Sequence, residues 1–360
     1  MMRGRVILGA ACLAAALLLV EPAAGADTND PKIKGRPLSH WTKQLRSRNR
    51  GRQLRAARVF SQAPEDARPA VIKRLLPILE SERQNDRFVA AQVLGKYGPI
   101  ARTAVPNLLP MLEGTQFERN RAAAARALGQ ILKDAKPSDQ VEKVAEALIA
   151  VFDDTYSDVR REAVRACGMI GPAAKACVPH LPERFNDTEW QKDAECFLVR
   201  RAAAWTAGRM GKHGAVHIDR LIALMHANRP AATEFVDAIG AIGPVHENVV
   251  PNIVDKLEKT VYGGWQGVGR EDKANYIKHC LAVLEGFGAK SAPAVDLLIR
   301  LLDPKQIQDY PARAAQAVKV LAAIGPAARK AVPVIEKNGL GAADETLRKA
   351  SQDALKKLKK

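Results

Sequence analysis

Two histidines four residues apart, His213 and His217, are the first side chains here whose types and spacing could do chemistry. On one helical face they would aim two imidazoles at a single metal ion. Gly211 and Gly214 place His213 in a turn, however, and no carboxylate pair accompanies it beyond Asp219, so a structural role fits better. Residues 263–269, GGWQGVG, have enough glycine to bend around a phosphate. They lack the Lys-Ser/Thr of a P-loop and the third glycine of a dinucleotide fingerprint, and read as a loop between helices. Neither Gly-x-Ser-x-Gly nor His-Glu-x-x-His occurs. Cys167, Cys177, Cys196 and Cys280 contain no CxxC pair, which removes zinc-ribbon and redox motifs. The sequence therefore assigns no catalytic, metal or cofactor residue, and no cofactor.

Charge is more informative. The chain carries a formal net charge of +17, and Lys32 to Arg74 holds thirteen Lys/Arg against Glu65 and Asp66. Such density attracts polyanions by charge alone, or else keeps an end of the molecule well solvated.

The elements that carry these residues repeat. Pro99/Pro106, Pro172/Pro179, Pro244/Pro251 and Pro326/Pro333 share one template: GPIARTAVP, GPAAKACVP, GPVHENVVP and GPAARKAVP. Gly98, Gly171, Gly243 and Gly325 anchor the register, with weaker copies at Gly211 and Gly288, where Asp219 and Asp296 replace the later proline. Pro64 and Leu132 occupy the same slot without glycine. The glycine suits the left-handed residue that ends a helix, the next proline cannot continue that helix, and the later proline can open another. Between slots, Val141, Val144, Ala145, Leu148, Ile149 and Phe152 form one apolar helical face, and Val159, Ala163, Ala166, Cys167 and Ile170 form a second. No segment reads as a strand. The expectation is an all-α chain of about nine antiparallel helix pairs, A and B, over residues 38–360.

Residues 1–26 read as a secretory signal peptide: Arg3 and Arg5, an apolar run from Val6 to Val20, then Ala24-Gly25-Ala26. Residues 27–37 would be a flexible lead-in, and the protein would be exported, periplasmic or extracellular. No later run is long enough for a membrane span. Cys167 and Cys177 fall where sister repeats carry Leu94 and Ala104, so they read as small core residues, with a bridge between them open.

The pattern resembles the HEAT-repeat family, in particular the short repeats also seen in phycobilisome lyases. RACGMIGPAAKACVPHL and LAAIGPAARKAVPVI carry the likeness most closely, and Trp41 and Leu45 in LSHWTKQLRSRNRGRQLRAARVF would form the core of the first helix. The resemblance implies a right-handed α-α superhelix that binds protein partners, with B helices lining its concave side. It implies no single reaction. Relatives that hydroxylate use several His-Glu pairs as iron ligands, and this chain has only His246-Glu247. A bilin-lyase-like activity fits poorly with a signal peptide and ranks last.

Aligning the B helices stacks Arg58, Gln92, Arg126, Arg165 and Trp205 in one stripe, with Arg161 and Arg201 a turn earlier. The stripe reads as polar and mostly cationic, a surface for a protein partner. Three long A-to-B loops, near 185–192, 261–270 and 304–309, carry Trp190, Tyr262, Trp265 and Tyr310 with their edges. Being the same kind of loop, they should line one rim. The function expected is a non-enzymatic scaffold for protein–protein interaction, with polyanion binding through the basic N-terminal repeats as the alternative.

Overall fold

All six glycines that mark the register turn the chain in the left-handed region. In the computed structural model, which describes residues 30–187, 196–228, 232–263 and 267–359, φ is 57° at Gly98, 79° at Gly171 and 98° at Gly243. Gly211, Gly288 and Gly325 follow at 54°, 56° and 74°. A β-carbon would strain these positions, so these six repeats place their helix stop at a glycine. In the glycine-less slot after Leu132 the same conformation falls on Asp134, at 53°.

The first pair is α1 (Leu38–Leu45) and α2 (Arg50–Ser61). Next come α3 (Arg68–Leu75) with α4 (Gln84–Lys96), α5 (Val105–Leu108) with α6 (Glu118–Ile131), and α7 (Asp139–Ile149) with α8 (Ser157–Ile170). The middle holds α9 (Leu181–Phe185) and α10 (Cys196–Arg209), α11 (Ile218–Ala227) and α12 (Thr233–Ile242), then α13 (Val249–Tyr262) and α14 (Arg270–Phe287). α15 (Val295–Arg300) and a short α16 (Pro304–Asp309) lead to α17 (Pro311–Ile324), and α18 (Val332–Val334) leads to α19 (Glu345–Leu358). The B helices are α2, α4, α6, α8, α10, α12, α14, α17 and α19. Each packs against the next, which makes one continuous layer; the A segments stack as a second. The nine pairs and the all-α solenoid stand as read from the sequence.

Both apolar faces are buried as the spacing requires. Val141, Val144, Ala145 and Leu148 line the inside of α7, and Val159, Ala163, Ala166, Cys167 and Ile170 are fully buried in α8. Trp41 and Leu45 close the first pair, and the indole Nε1 of Trp41 donates to the Ile33 carbonyl at 2.8 Å.

Three expectations differ. The A segments are not continuous α-helices: residues 98–104, 171–180, 211–217, 288–294 and 325–331 wind as 3₁₀ turns. In all but 211–217 a proline denies a backbone donor, and Ala101 and Ala174 depart from helical φ/ψ. Pro106 and Pro333 do open α5 and α18, whereas Pro179 lies inside a 3₁₀ stretch. Asp219 and Asp296, which stand in for proline, sit in the first turns of α11 and α15, where a carboxylate suits the helix dipole. Residues 30–37, expected to belong to a flexible lead-in, form a small antiparallel hairpin of β1 (Lys32–Ile33) and β2 (Arg36–Pro37). Lys34 and Gly35, both at positive φ, make its turn, and Ile33 pins it to the core. Residues 304–309, expected as loop, form α16. The signal-peptide reading of 1–26 lies outside the described residues.

Candidate functional site

The site begins with glycines that let B helices touch. Gly95, Gly129, Gly168 and Gly208 each sit in the seam with the next B helix. A β-carbon on Gly129 would stand 2.5 Å from Ala166 Cα, one on Gly168 2.5 Å from the Trp205 ring, and one on Gly208 2.9 Å from Ala238 Cα. With the seam fixed, residues three earlier turn outward. Arg58, Gln92, Arg126 and Arg165 are exposed, and Trp205 is half-buried.

The stripe therefore forms, but the structure corrects its charge. Arg126 donates from Nε and Nη2 to the two carboxylate oxygens of Glu162, at 2.9 and 2.7 Å. Arg161 donates from Nε to Glu162 at 3.2 Å and also pairs with Asp158. Arg201 pairs with Glu234 and lies over the Phe197 ring at 5.3 Å. Burial works to raise the Glu162 pKa, but the Arg126 hydrogen bonds and the Arg126 and Arg161 charges win, so its carboxyl sits below the usual range. Burial also lowers the pKa of Arg201. Glu162 lies 36 residues after Arg126 and Glu234 lies 33 after Arg201, about one repeat in each case. That spacing was the signal available in the sequence for these neutralising acids.

Further along, Arg165 lies 5.2 Å over the Trp205 ring and Arg209 6.0 Å from it. Arg209 also pairs with Asp134 and donates from Nε to the Gly168 carbonyl at 3.3 Å. The stripe thus presents an indole between two guanidinium groups. A groove of about 350 Å³ runs across α4, α6 and α8 beside it. Its floor is Ala91, Ala122, Ala123 and Ala127. Its walls include Phe88, on which Arg119 stacks at 4.6 Å, and the Arg126–Glu162 pair. Small residues at the floor admit another chain close to the backbone, and the walls offer hydrogen-bonding charges. Nothing in this arrangement is an acid–base or nucleophilic constellation.

At the A-to-B turns, Tyr262 and Tyr310 are exposed. Arg300 lies 5.4 Å over Tyr262 and Arg313 lies 4.1 Å over Tyr310. Burial lowers the pKa of Arg313, and both hydroxyls act on its charge. Two of the expected rim segments thus come together. A groove of about 1070 Å³ between the first turns of α14, α17 and α19 opens beside Tyr310 and Arg313. Trp190 and Trp265 lie outside the described residues.

A second ladder runs at the opposite, buried end of the B helices. Gln53 donates to Asp86 at 3.0 Å. Arg121 grips Asp154 with two bonds at 2.7 and 2.9 Å, and Arg160 grips Asp187 at 2.8 and 2.9 Å. These tie the first repeat to the second, the third to the fourth and the fourth to the fifth.

The histidine pair resolves into structure: His217 is buried and its Nε2 donates to the Val178 carbonyl at 2.8 Å, edge-on to Phe185. Among the described residues, no group of three or more His, Cys, Asp or Glu is placed to hold a metal. Cys167 and Cys177 are buried, unbridged thiols. Burial, together with a hydrogen bond to Cys177, pushes the Cys167 pKa well up. Lys256 is also buried, its pKa lowered by that burial, and its ammonium donates to the Asn228 carbonyl at 2.8 Å, which caps the end of α11.

Comparison with known proteins bears on the architecture. Residues 72–166 and 105–195 match the family model for HEAT repeats. The karyopherin Kap121p bound to Nup53p superposes with a TM-score of 0.64 at 14% identity, over 89% of this chain and 38% of that one. Kap121p bound to the extreme C-terminus of the protein phosphatase Cdc14p gives 0.62 at 14% identity, over 88% and 39%. Kap121p bound to the SUMO protease Ulp1p gives 0.61 at 15% identity, over 89% and 38%. This chain thus spans well under half the length of these karyopherins, and at such identity the likeness is one of fold. A comparison with curated proteins finds no match. No described helix is long and apolar enough to cross a membrane. Residues 72–195 thus carry HEAT repeats, set in a stacked helix-pair fold similar to that of the karyopherin Kap121p.

Proposed function

We propose that this solenoid is a non-enzymatic scaffold that holds a protein partner along its B-helix face, the concave side of the superhelix, with the Tyr262–Tyr310 rim as a second contact. The observation that carries this is the Arg165–Trp205–Arg209 stack beside the alanine-floored groove across α4, α6 and α8. Aromatic and arginine side chains on a rigid layer make strong contact residues, because they bury large area with little loss of freedom. The similar karyopherin structures contain bound protein segments, which supports the same kind of use here. Export fits residues 1–26, and N-terminal sequencing of the chain from its host would show whether it begins at Asp27.

Replacing Arg165 by Glu tests the reading. Arg165 is exposed, so the fold should stand, as circular dichroism would verify. Partners co-purifying with the parent chain should be lost from the variant; if every one stays bound, the B-helix face is not the binding surface. Exposed cations on the first repeat favour a second, separate role in binding a polyanion.

A further inference from the structure

The end formed by the hairpin, the first helix pair and α3 carries a disproportionate share of the charge. Residues 30–74 hold thirteen Lys/Arg against Asp30, Glu65 and Asp66, in a chain whose total is +17. The structure turns these cations outward: Lys32 and Lys34 on the hairpin and Arg50, Arg52, Arg55 and Arg58 on α2 are all exposed. α2 packs against α1 and α4, and among the described residues these four arginines are left on its exposed side. From Arg50 to Arg58 the row is about 12 Å long at a helical rise. In its midst Leu54 is 54% exposed.

We infer that this basic end docks on an anionic lipid surface, with the arginines on headgroup phosphates and Leu54 entering the boundary beneath them. Two features favour lipid over nucleic acid. Trp41 and Phe60 are buried and the half-buried His40 ring stands edge-on to Trp41, so this segment offers no fully exposed ring for base stacking. An exposed leucine inside a basic helical face suits a headgroup layer, which accepts apolar side chains below its charge. The inference narrows the polyanion reading and shares only Arg58 with the B-helix stripe.

The test uses the chain from Asp27 onward, which keeps every described residue, with phosphatidylcholine vesicles made with and without phosphatidylglycerol. Binding should require the anionic lipid and weaken as salt rises. Changing Arg50, Arg52, Arg55 and Arg58 together to Glu should weaken it by roughly a hundredfold or more. Changing Lys337, Lys349, Lys356 and Lys357 to Glu alters net charge equally at the far end and should leave binding nearly intact. Leu54→Ser should weaken vesicle binding while leaving any binding to duplex DNA unchanged. No binding to anionic vesicles at low salt, an equal loss from both charge variants, or indifference to Leu54→Ser overturns the lipid assignment. If vesicles are ignored while DNA is held through the same four arginines, lipid fails and the broader polyanion reading stands.

Discussion

Gly129→Ala and Gly286→Ala are the same chemical change in two B helices, and they should move stability in opposite directions. Each gains helix propensity, about 1 kcal/mol in a helix interior and less near an end. At Gly129 the new methyl would sit 2.5 Å from Ala166 Cα, 2.8 Å from Ala166 Cβ and 2.7 Å from Met169 Cε. Ordinary carbon contacts are about 3.5 to 4 Å, so α6 and α8 must part by about 1 Å. Backbone atoms cannot yield as a side-chain tip can, and α8 is held in turn by α10. Overpacking of this kind costs about 1 to 3 kcal/mol, and here the upper part of that range applies, for a net loss of about 1 to 2 kcal/mol. At Gly286, near the end of α14, no atom lies within 4 Å of the added carbon. That variant should gain about 0.5 kcal/mol. Urea unfolding at neutral pH, with unchanged slope, reads both. A Gly129→Ala protein as stable as the parent would show that the seam yields, and the outward stripe would lose the register that defines it.

Other expectations follow from buried charge. Asp187→Ala should cost about 3 to 5 kcal/mol in urea unfolding, because it takes both carboxylate bonds from Arg160, only 3% exposed; adding Arg160→Met should recover part of the loss. Glu162, its pKa below normal in the fold, contributes stability that is present above the ordinary carboxylate pKa and lost as pH falls through its folded value. Glu162→Gln should therefore be less stable than the parent at neutral pH, with the gap closing below about pH 4 in parallel thermal melts. Burial pushes the thiol pKa values of Cys167 and Cys280 upward, and Cys177 is equally enclosed. Mass spectrometry after alkylation should find all three unmodified in the folded protein and modified in denaturant.

Much of the architecture was legible because it is written locally. A positive φ at a helix stop nearly demands glycine, so Gly98, Gly171, Gly211, Gly243, Gly288 and Gly325 could be read as boundaries without coordinates. Helical periodicity likewise placed Val141 through Leu148 and Val159 through Ile170 inside. The 3₁₀ winding of the A segments was less legible, since proline forbids one hydrogen bond without saying what replaces it.

The site was only half written. Alignment of repeats put Arg126, Arg165 and Trp205 in one row, because stacking turns a linear period into a spatial stripe. It did not reveal that Glu162 and Glu234 would neutralise Arg126, Arg161 and Arg201. Those bonds cross between helices, and their existence depends on how far and at what offset neighbouring helices approach. The sequence by itself determined the helix pairs, their number and which faces are apolar, since these follow from bond geometry and burial within one repeat. Only the tertiary structure decided which charges remain unneutralised, that Tyr262 and Tyr310 share the surroundings of Arg313, and that the first pair presents its arginines outward. Each of these is set by distances between segments far apart in the chain.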